Sequence, residues 1–123
     1  MSQFTVDKIS SYKRSLDLSN YIWDVVIRWE WFAKKTIGAQ WVESTDSISA
    51  NIAEGFGRNT KKDKIRFFYY SKGSLSESKD WFSKAMTRKL LTEEEIKYIG
   101  DNLDELPKEL NYLIKNTNDK LKY

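Results

Sequence analysis

The stretch TEEEIKYIGDNLDELPKELNYL, residues 92–113, decides the fold because its apolar residues recur at intervals of three and four. This spacing places them on one face of an α-helix as a heptad pattern. Thr92 followed by Glu95 is a capping box, which predicts where the helix begins. Pro107 lies inside the pattern, so we expect a kink or a break there. The face consists of Ile96, Ile99, Leu103, Leu106, Leu110 and Leu113.

The rest of the chain shows the same helical periodicity, with no sustained strand-like alternation. We predict four helices at roughly 12–32, 37–57, 61–89 and 93–115, in a single domain spanning 1–123. Thr60 with Asp63 marks the start of the third helix. Gly57 ends the second, as a residue type that easily adopts the left-handed conformation. Because the connections are short, we expect an all-α fold, an up-down-up-down antiparallel four-helix bundle.

The composition argues against several classes of protein. The chain has 123 residues, 21 Lys+Arg and 18 Asp+Glu, and its net charge of +3 is too small for a generally polycationic binder. It contains no cysteine and no histidine, the residues that most often supply nucleophiles, general bases and metal ligands. We therefore expect no enzymatic activity, no cofactor and no metal. Because we find no signal peptide and no long apolar run, we expect a cytoplasmic protein without a membrane partner.

Charge is concentrated in two segments. Residues 58–72 carry six basic residues and one acid, whereas residues 92–110 carry seven acids and two lysines. Lysines at the start of the third helix oppose its macrodipole, and a bound phosphate would be stabilised by both the lysines and the helix N–H groups. Two alternatives remain: an ordinary solvated turn, or contact between basic and acidic surfaces of copies in a ring. The predicted nucleic-acid-binding residues are Arg58, Lys61, Lys62, Lys64 and Arg66.

Four consecutive aromatic residues, Phe67 to Tyr70, lie in the predicted third helix. On a helix they fan across about 300°, so one bundle core cannot cover all of them. Either the tyrosines are simply half-exposed, or a second face is buried by self-association. We predict an oligomer interface that includes Phe67, Tyr70 and Trp81, because Trp and Tyr are favoured at interfaces.

Patterns typical of enzymes are incomplete. The Gly55-Phe-Gly57 segment lacks the third glycine of a dinucleotide fingerprint, and Ser74 has no histidine to activate it. Glu54 and Glu77 resemble the carboxylates of di-iron bundles, but those sites also need Glu-x-x-His. Both glutamates are therefore interpreted as structural.

The same segment has a structural interpretation. Asn51, Glu54 and Arg58 share one helix face, and the spacing of Glu54 and Arg58 favours a salt bridge. Glycine costs about 1 kcal/mol in a helix interior relative to alanine. We therefore expect Gly55 and Gly73 at points where the second and third helices approach each other closely.

The segments SISANIAEGFGR, residues 47–58, and GSLSE, residues 73–77, resemble the signature of the 23S rRNA intervening-sequence family, described as "four helix bundle protein". The likeness extends from about Tyr12 to Leu113. That family is in turn similar to the accessory variability determinant of diversity-generating retroelements, a basic homopentameric bundle that binds reverse transcriptase and nucleic acid. The resemblance implies a homopentamer without enzymatic activity. The motif residues are Asn51, Glu54, Gly55, Gly57, Gly73, Ser74 and Glu77.

Together, the residues and the resemblance predict a non-enzymatic oligomeric adaptor. We expect it to bind structured RNA or DNA, or a nucleic-acid enzyme such as a reverse transcriptase, through the basic turn between the second and third helices. The alternative is a protein-only homo-oligomeric scaffold that does not bind nucleic acid.

Overall fold

A computed structural model describes residues 4–123; residues 1–3 of the predicted domain lie outside this range. A 3₁₀ turn, Val6–Lys8, precedes helix α1, Ser10–Val26. The second rod, α2, runs continuously through an α-helical turn, Trp31–Ala33, a π-helical turn, Lys34–Gly38, and an α-helix, Ala39–Phe56. Helices α3, Lys61–Thr87, and α4, Glu93–Lys120, complete the chain, and no strand occurs within the described range.

The helices form the predicted bundle around one core. Helix α2 packs between α1 and α3, and α4 packs against α1 and α3 on the opposite side. Successive helices are therefore neighbours, and the all-α four-helix prediction is confirmed. Residues 92–113 supply one wall of the core, since four of their apolar side chains are almost completely buried: Ile99, Leu103, Leu106 and Leu110.

The first turn lies earlier than the sequence predicts. Helix α1 ends at Val26, and a turn at residues 27–30 replaces the end of the predicted helix 12–32. Glu30 starts α2, because its carboxylate accepts a hydrogen bond from the backbone N–H of Ala33 at 2.8 Å. The prediction failed because Trp29 packs on Trp41 from the turn, with ring centroids 6.0 Å apart. Trp29 therefore extends the apolar pattern of the helix into the turn, although it is not helical.

The end of α2 differs in its backbone conformation from the prediction. The helix ends at Phe56, next to Gly57, but Gly57 has φ −80° and is not left-handed. The N–H groups of Gly57 and Arg58 instead donate to the carbonyls of Ala53 and Gly55, each at 3.1 Å. These bonds tighten the last turn without a left-handed residue.

Helix α4 continues through Pro107, so of the kink or break expected there the break does not occur. Proline removes one intrahelical hydrogen bond, but Leu106 and Leu110 on either side are both fully buried and hold the helix against the core. The predicted capping box of Thr92 and Glu95 is confirmed, with both of its hydrogen bonds formed. The helix also extends to Lys120, beyond the predicted end at 115.

Candidate nucleic-acid interface

The α2–α3 turn, Phe4 and the end of α4 meet at one end of the bundle. The rings of Phe4 and Phe56 lie 6.0 Å apart, and Lys61 Nζ donates to the carbonyl of Asn118 at 3.2 Å. The α1–α2 turn lies at the opposite end, next to the start of α4. We call the end of the bundle that contains the α2–α3 turn and the first residues of α3 the basic end.

The start of α3 is ordered by its own side chains. Thr60 Oγ1 accepts a hydrogen bond from the N–H of Asp63 at 3.1 Å, which confirms the predicted helix start. Asp63 in turn pairs with Arg66 at 3.2 Å. This acid offsets part of the unfavourable interaction between the first-turn lysines and the helix dipole.

The five predicted basic residues lie at this end but differ in their contacts. Lys62 and Arg66 are exposed, and Lys61 reaches the end of α4. Arg58 is half-buried and pairs with Glu54 at 3.0 Å, the salt bridge expected from their spacing. Four of the five thus lie at the rim of the basic end, and the two arginines among them are paired with acids of the same chain.

Lys64 is different, because its amine is directed toward the interior. Its Nζ donates to the carbonyl of Phe56 at 2.7 Å and lies 5.6 Å from the centroid of the Phe56 ring. Burial lowers the pKa of this amine. Lys64 is therefore less available to an external phosphate than the other four residues.

An aromatic platform holds the two arginines. The guanidinium carbons of Arg58 and Arg66 lie 4.4 and 5.0 Å from the centroid of the Phe67 ring. Tyr70 packs edge-on against Phe67, with centroids 5.3 Å apart. Sequence reasoning missed this cluster, because it treated Phe67 and Tyr70 as separate from the basic residues. Arg66 and Tyr70 are four residues apart on one helix, so their spacing indicates a contact between them. The contact between Arg58 and Phe67 joins two helices, and no local spacing indicates it.

The four consecutive aromatic residues do face different environments. Phe68 is buried and Phe67 is half-buried, whereas Tyr69 and Tyr70 are 55% and 49% exposed. One core therefore covers only part of the aromatic run, as the sequence predicts.

Trp81 lies on the same stripe of α3 but far from the basic end. It lies fourteen positions after Phe67, which corresponds to about 21 Å along a helix. Trp81 is half-buried against the core, and its Nε1 donates to Glu77 at 3.0 Å. Residues spaced by three and four positions lie along one side of α3 and form what we call the α3 stripe: Phe67, Tyr70, Ser74, Glu77 and Trp81.

Gly55 lies where α2 and α3 approach closely. A Cβ at this position would be 2.7 Å from Phe68 and 2.9 Å from the carbonyl oxygen of Lys64. On the same helix, Asn51 Nδ2 donates to the carbonyl of Ser47 at 2.9 Å. These contacts give the first motif segment a structural role.

The prediction of a close approach at Gly73 is wrong. This glycine is exposed, and nothing lies within 4 Å of the position where its Cβ would be. The neighbouring Ser71 and Leu75 are buried instead and turn Gly73 outward. Ser74, next to it, is half-buried.

Within residues 4–123, no group of three or more acidic side chains is placed to hold a metal ion. Nor does any helix in this range combine the length and the apolar character needed to cross a membrane.

Comparisons with known proteins agree with this fold. A family model described as "23S rRNA-intervening sequence protein" matches residues 7–112. The fold is similar to the crystal structure of a protein of unknown function from the S23 ribosomal protein family of Bacteroides thetaiotaomicron VPI-5482. That likeness has a TM-score of 0.75 at 22% sequence identity and covers 85% of this chain and 98% of that chain. A search of curated protein sequences finds no significant match.

Proposed function

The chain belongs to the 23S rRNA-intervening sequence protein family, and on that premise we propose that it is a non-enzymatic oligomeric adaptor that binds structured RNA or DNA. The binding surface is the basic end of the bundle. A nucleic-acid enzyme such as a reverse transcriptase is a further partner that the family resemblance suggests for the same surface.

The observation that carries this proposal is the arrangement of Arg58 and Arg66 on Phe67, at distances of 4.4 and 5.0 Å. Guanidinium groups bind phosphate oxygens in a bidentate manner, and a ring that holds them reduces the side-chain entropy lost on binding. Lys61 and Lys62 flank them in the first turn of α3. Contacts of this kind recognise the backbone, so binding should be salt-dependent and largely independent of sequence.

The family resemblance suggests a homopentamer. We propose that the copies associate through the α3 stripe. Tyr70 is 49% exposed and Trp81 is half-buried, so both have apolar area that a second copy could cover. The basic end lies at one extremity of this stripe. Several copies arranged about an axis would therefore present several basic ends together, which raises the avidity for a long nucleic acid.

A pair of charge-reversal variants tests nucleic-acid binding. Lys61→Glu with Lys62→Glu changes the basic end, and Lys34→Glu with Lys35→Glu makes the same change in net charge in the exposed first residues of α2. We expect the first variant to weaken binding to a labelled RNA hairpin and a DNA duplex by roughly tenfold or more, with a smaller salt dependence. The control should stay within about threefold of the unchanged protein in the same fluorescence anisotropy assay.

Two results would contradict this proposal. The unchanged protein could fail to bind either nucleic acid at low salt, or both variants could lose the same affinity, which would indicate a net-charge effect without a site.

The second candidate function is a protein-only scaffold. The observation that favours it is that the arginines at the basic end are already paired within the chain, with Glu54 and Asp63. In that case the lysines of the basic end, Lys61 and Lys62, contact the acidic segment 92–110 of another copy. Glu93→Lys with Glu94→Lys should then dissociate the oligomer, measured as the mass from light scattering, whereas the nucleic-acid proposal expects the mass to stay unchanged.

A further inference from the structure

A cavity of about 520 Å³ opens at the basic end, between the start of α1, the end of α2, α3 and the last turns of α4. Its walls are mainly apolar and include the rings of Phe4, Phe56 and Phe68. Lys8, Lys64 and Lys120 also line it. A cavity of this volume, apolar with a few convergent polar groups, is typical of a site for a small organic molecule.

The first turn of α1 forms part of the cavity wall and has no cap. The residue before the helix is Ile9, whose side chain accepts no hydrogen bond, and no acid lies in the first turn. The backbone N–H groups at this helix start and the positive end of its dipole are therefore not compensated by a cap or an acid of the first turn.

An independent observation comes from Ser11. Ser11 is one of the residues that border the cavity; its side chain is completely buried, and its Oγ has no hydrogen-bond partner. A buried hydroxyl without a partner carries a free-energy cost, so such a group indicates that a ligand atom can complete the site.

The charge of the wall is positive. Among the described residues that line the cavity, Glu109 is the one acid, and its carboxylate is engaged by Arg14 at 2.8 Å. Lys64 uses one of its three N–H groups to reach the Phe56 carbonyl at 2.7 Å and can donate another into the cavity. Burial lowers the pKa of Lys64, and a bound anion would offset that effect.

We propose that this cavity binds a small organic carboxylate with an aromatic body. The carboxylate lies at the start of α1, where it accepts hydrogen bonds from Ser11 Oγ and Lys64 Nζ, and the aromatic body packs among Phe56 and Phe68. This site does not depend on the proposed binding of nucleic acid, which uses the exposed rim of the same end.

The probe for the test is 3-phenylpropionate, and its neutral amide, 3-phenylpropionamide, has the same body without the charge. Titration into the full chain, followed by amide NMR shifts and by calorimetry, should show one site per chain and shifts at residues 10–12. We expect the amide to bind at least about tenfold more weakly than the acid, because it lacks the charge-assisted hydrogen bonds.

Ser11→Ala and Lys64→Met should each weaken the binding of 3-phenylpropionate by about tenfold. Ser11 Oγ has no partner within the chain, so its removal should leave the melting temperature unchanged or raised. Lys79→Met is the matched control, since Lys79 is exposed on the same helix and does not line the cavity, and it should bind like the unchanged protein. The proposal is overturned if no amide at residues 10–12 shifts at about 10 mM probe, if the neutral amide binds as well as the acid, or if Lys79→Met loses the same affinity as Lys64→Met.

Discussion

Two glycines of the family motif provide a matched pair of substitutions with opposite expected signs. A Cβ at Gly55 would lie 2.7 Å from Phe68 and 2.9 Å from the carbonyl oxygen of Lys64. Contacts this short require movement, and the carbonyl oxygen belongs to the backbone of α3. The buried ring of Phe68, which is 2% exposed, cannot rotate into solvent. At Gly73 nothing lies within 4 Å of the added Cβ.

The magnitudes follow from two opposing effects. Overpacking of a core costs about 1–3 kcal/mol, and alanine gains about 1 kcal/mol over glycine within a helix. Gly55→Ala should therefore destabilise the protein by up to about 2 kcal/mol, and Gly73→Ala should stabilise it by about 0.5–1 kcal/mol. For a domain of this size each kcal/mol shifts the melting temperature by roughly 4 °C.

The assay is thermal unfolding followed by circular dichroism at one protein concentration, with urea unfolding as a second measurement. The reasoning is refuted if Gly55→Ala is at least as stable as the unchanged protein, or if Gly73→Ala destabilises it. A result in which both substitutions stabilise would mean that α2 and α3 separate easily at Gly55, so that helix propensity alone decides.

Two further predictions concern buried polar groups. Ser78→Ala removes the hydroxyl that accepts the Nε1–H of Trp41 at 3.1 Å and lies 2.7 Å from Thr45 Oγ1. This substitution should lower the free energy of unfolding, measured in urea, by about 1–3 kcal/mol. A loss below about 0.5 kcal/mol would contradict the role of this hydrogen bond. Lys64 has a pKa below its ordinary value of 10.5 in the folded chain, because burial disfavours its charge. The unfolded chain therefore binds the proton more tightly, and the stability contributed by Lys64 rises as the pH increases toward 10.5. The stability difference between the unchanged protein and Lys64→Met should shift in favour of the unchanged protein between pH 8 and pH 10, measured from urea midpoints; a constant difference would show that the amine is not desolvated.

The sequence predicted the helices well wherever one local rule controlled the structure. Thr60 and Thr92 mark helix starts because a side-chain oxygen satisfies an N–H group two or three residues away. Such hydrogen bonds depend only on neighbouring residues, so they can be read without the fold. The first turn was misplaced because Trp29 packs into the core from outside a helix, and periodicity cannot distinguish that position from a helical one.

The candidate sites depended more strongly on contacts between distant residues. The concentration of Arg58 to Arg66 near one turn was evident from the sequence, because these residues are close along the chain. The sequence did not show the inward direction of Lys64 or the stacking of Arg58 on Phe67, because both follow from how α2 and α3 are packed together. The different surroundings of Gly55 and Gly73 have the same origin.

The sequence by itself therefore determined the all-α fold, the order of the helices and the position of the basic end, since periodicity, capping and short connections are local properties. Only the tertiary structure decided that Phe4, the start of α1, Lys64 and the last turns of α4 enclose one cavity. Ser11 and Lys120 are separated by most of the chain, and no local pattern relates them. They become neighbours because the closed bundle brings the start of α1 next to the end of α4, and that arrangement results from burial of the shared core.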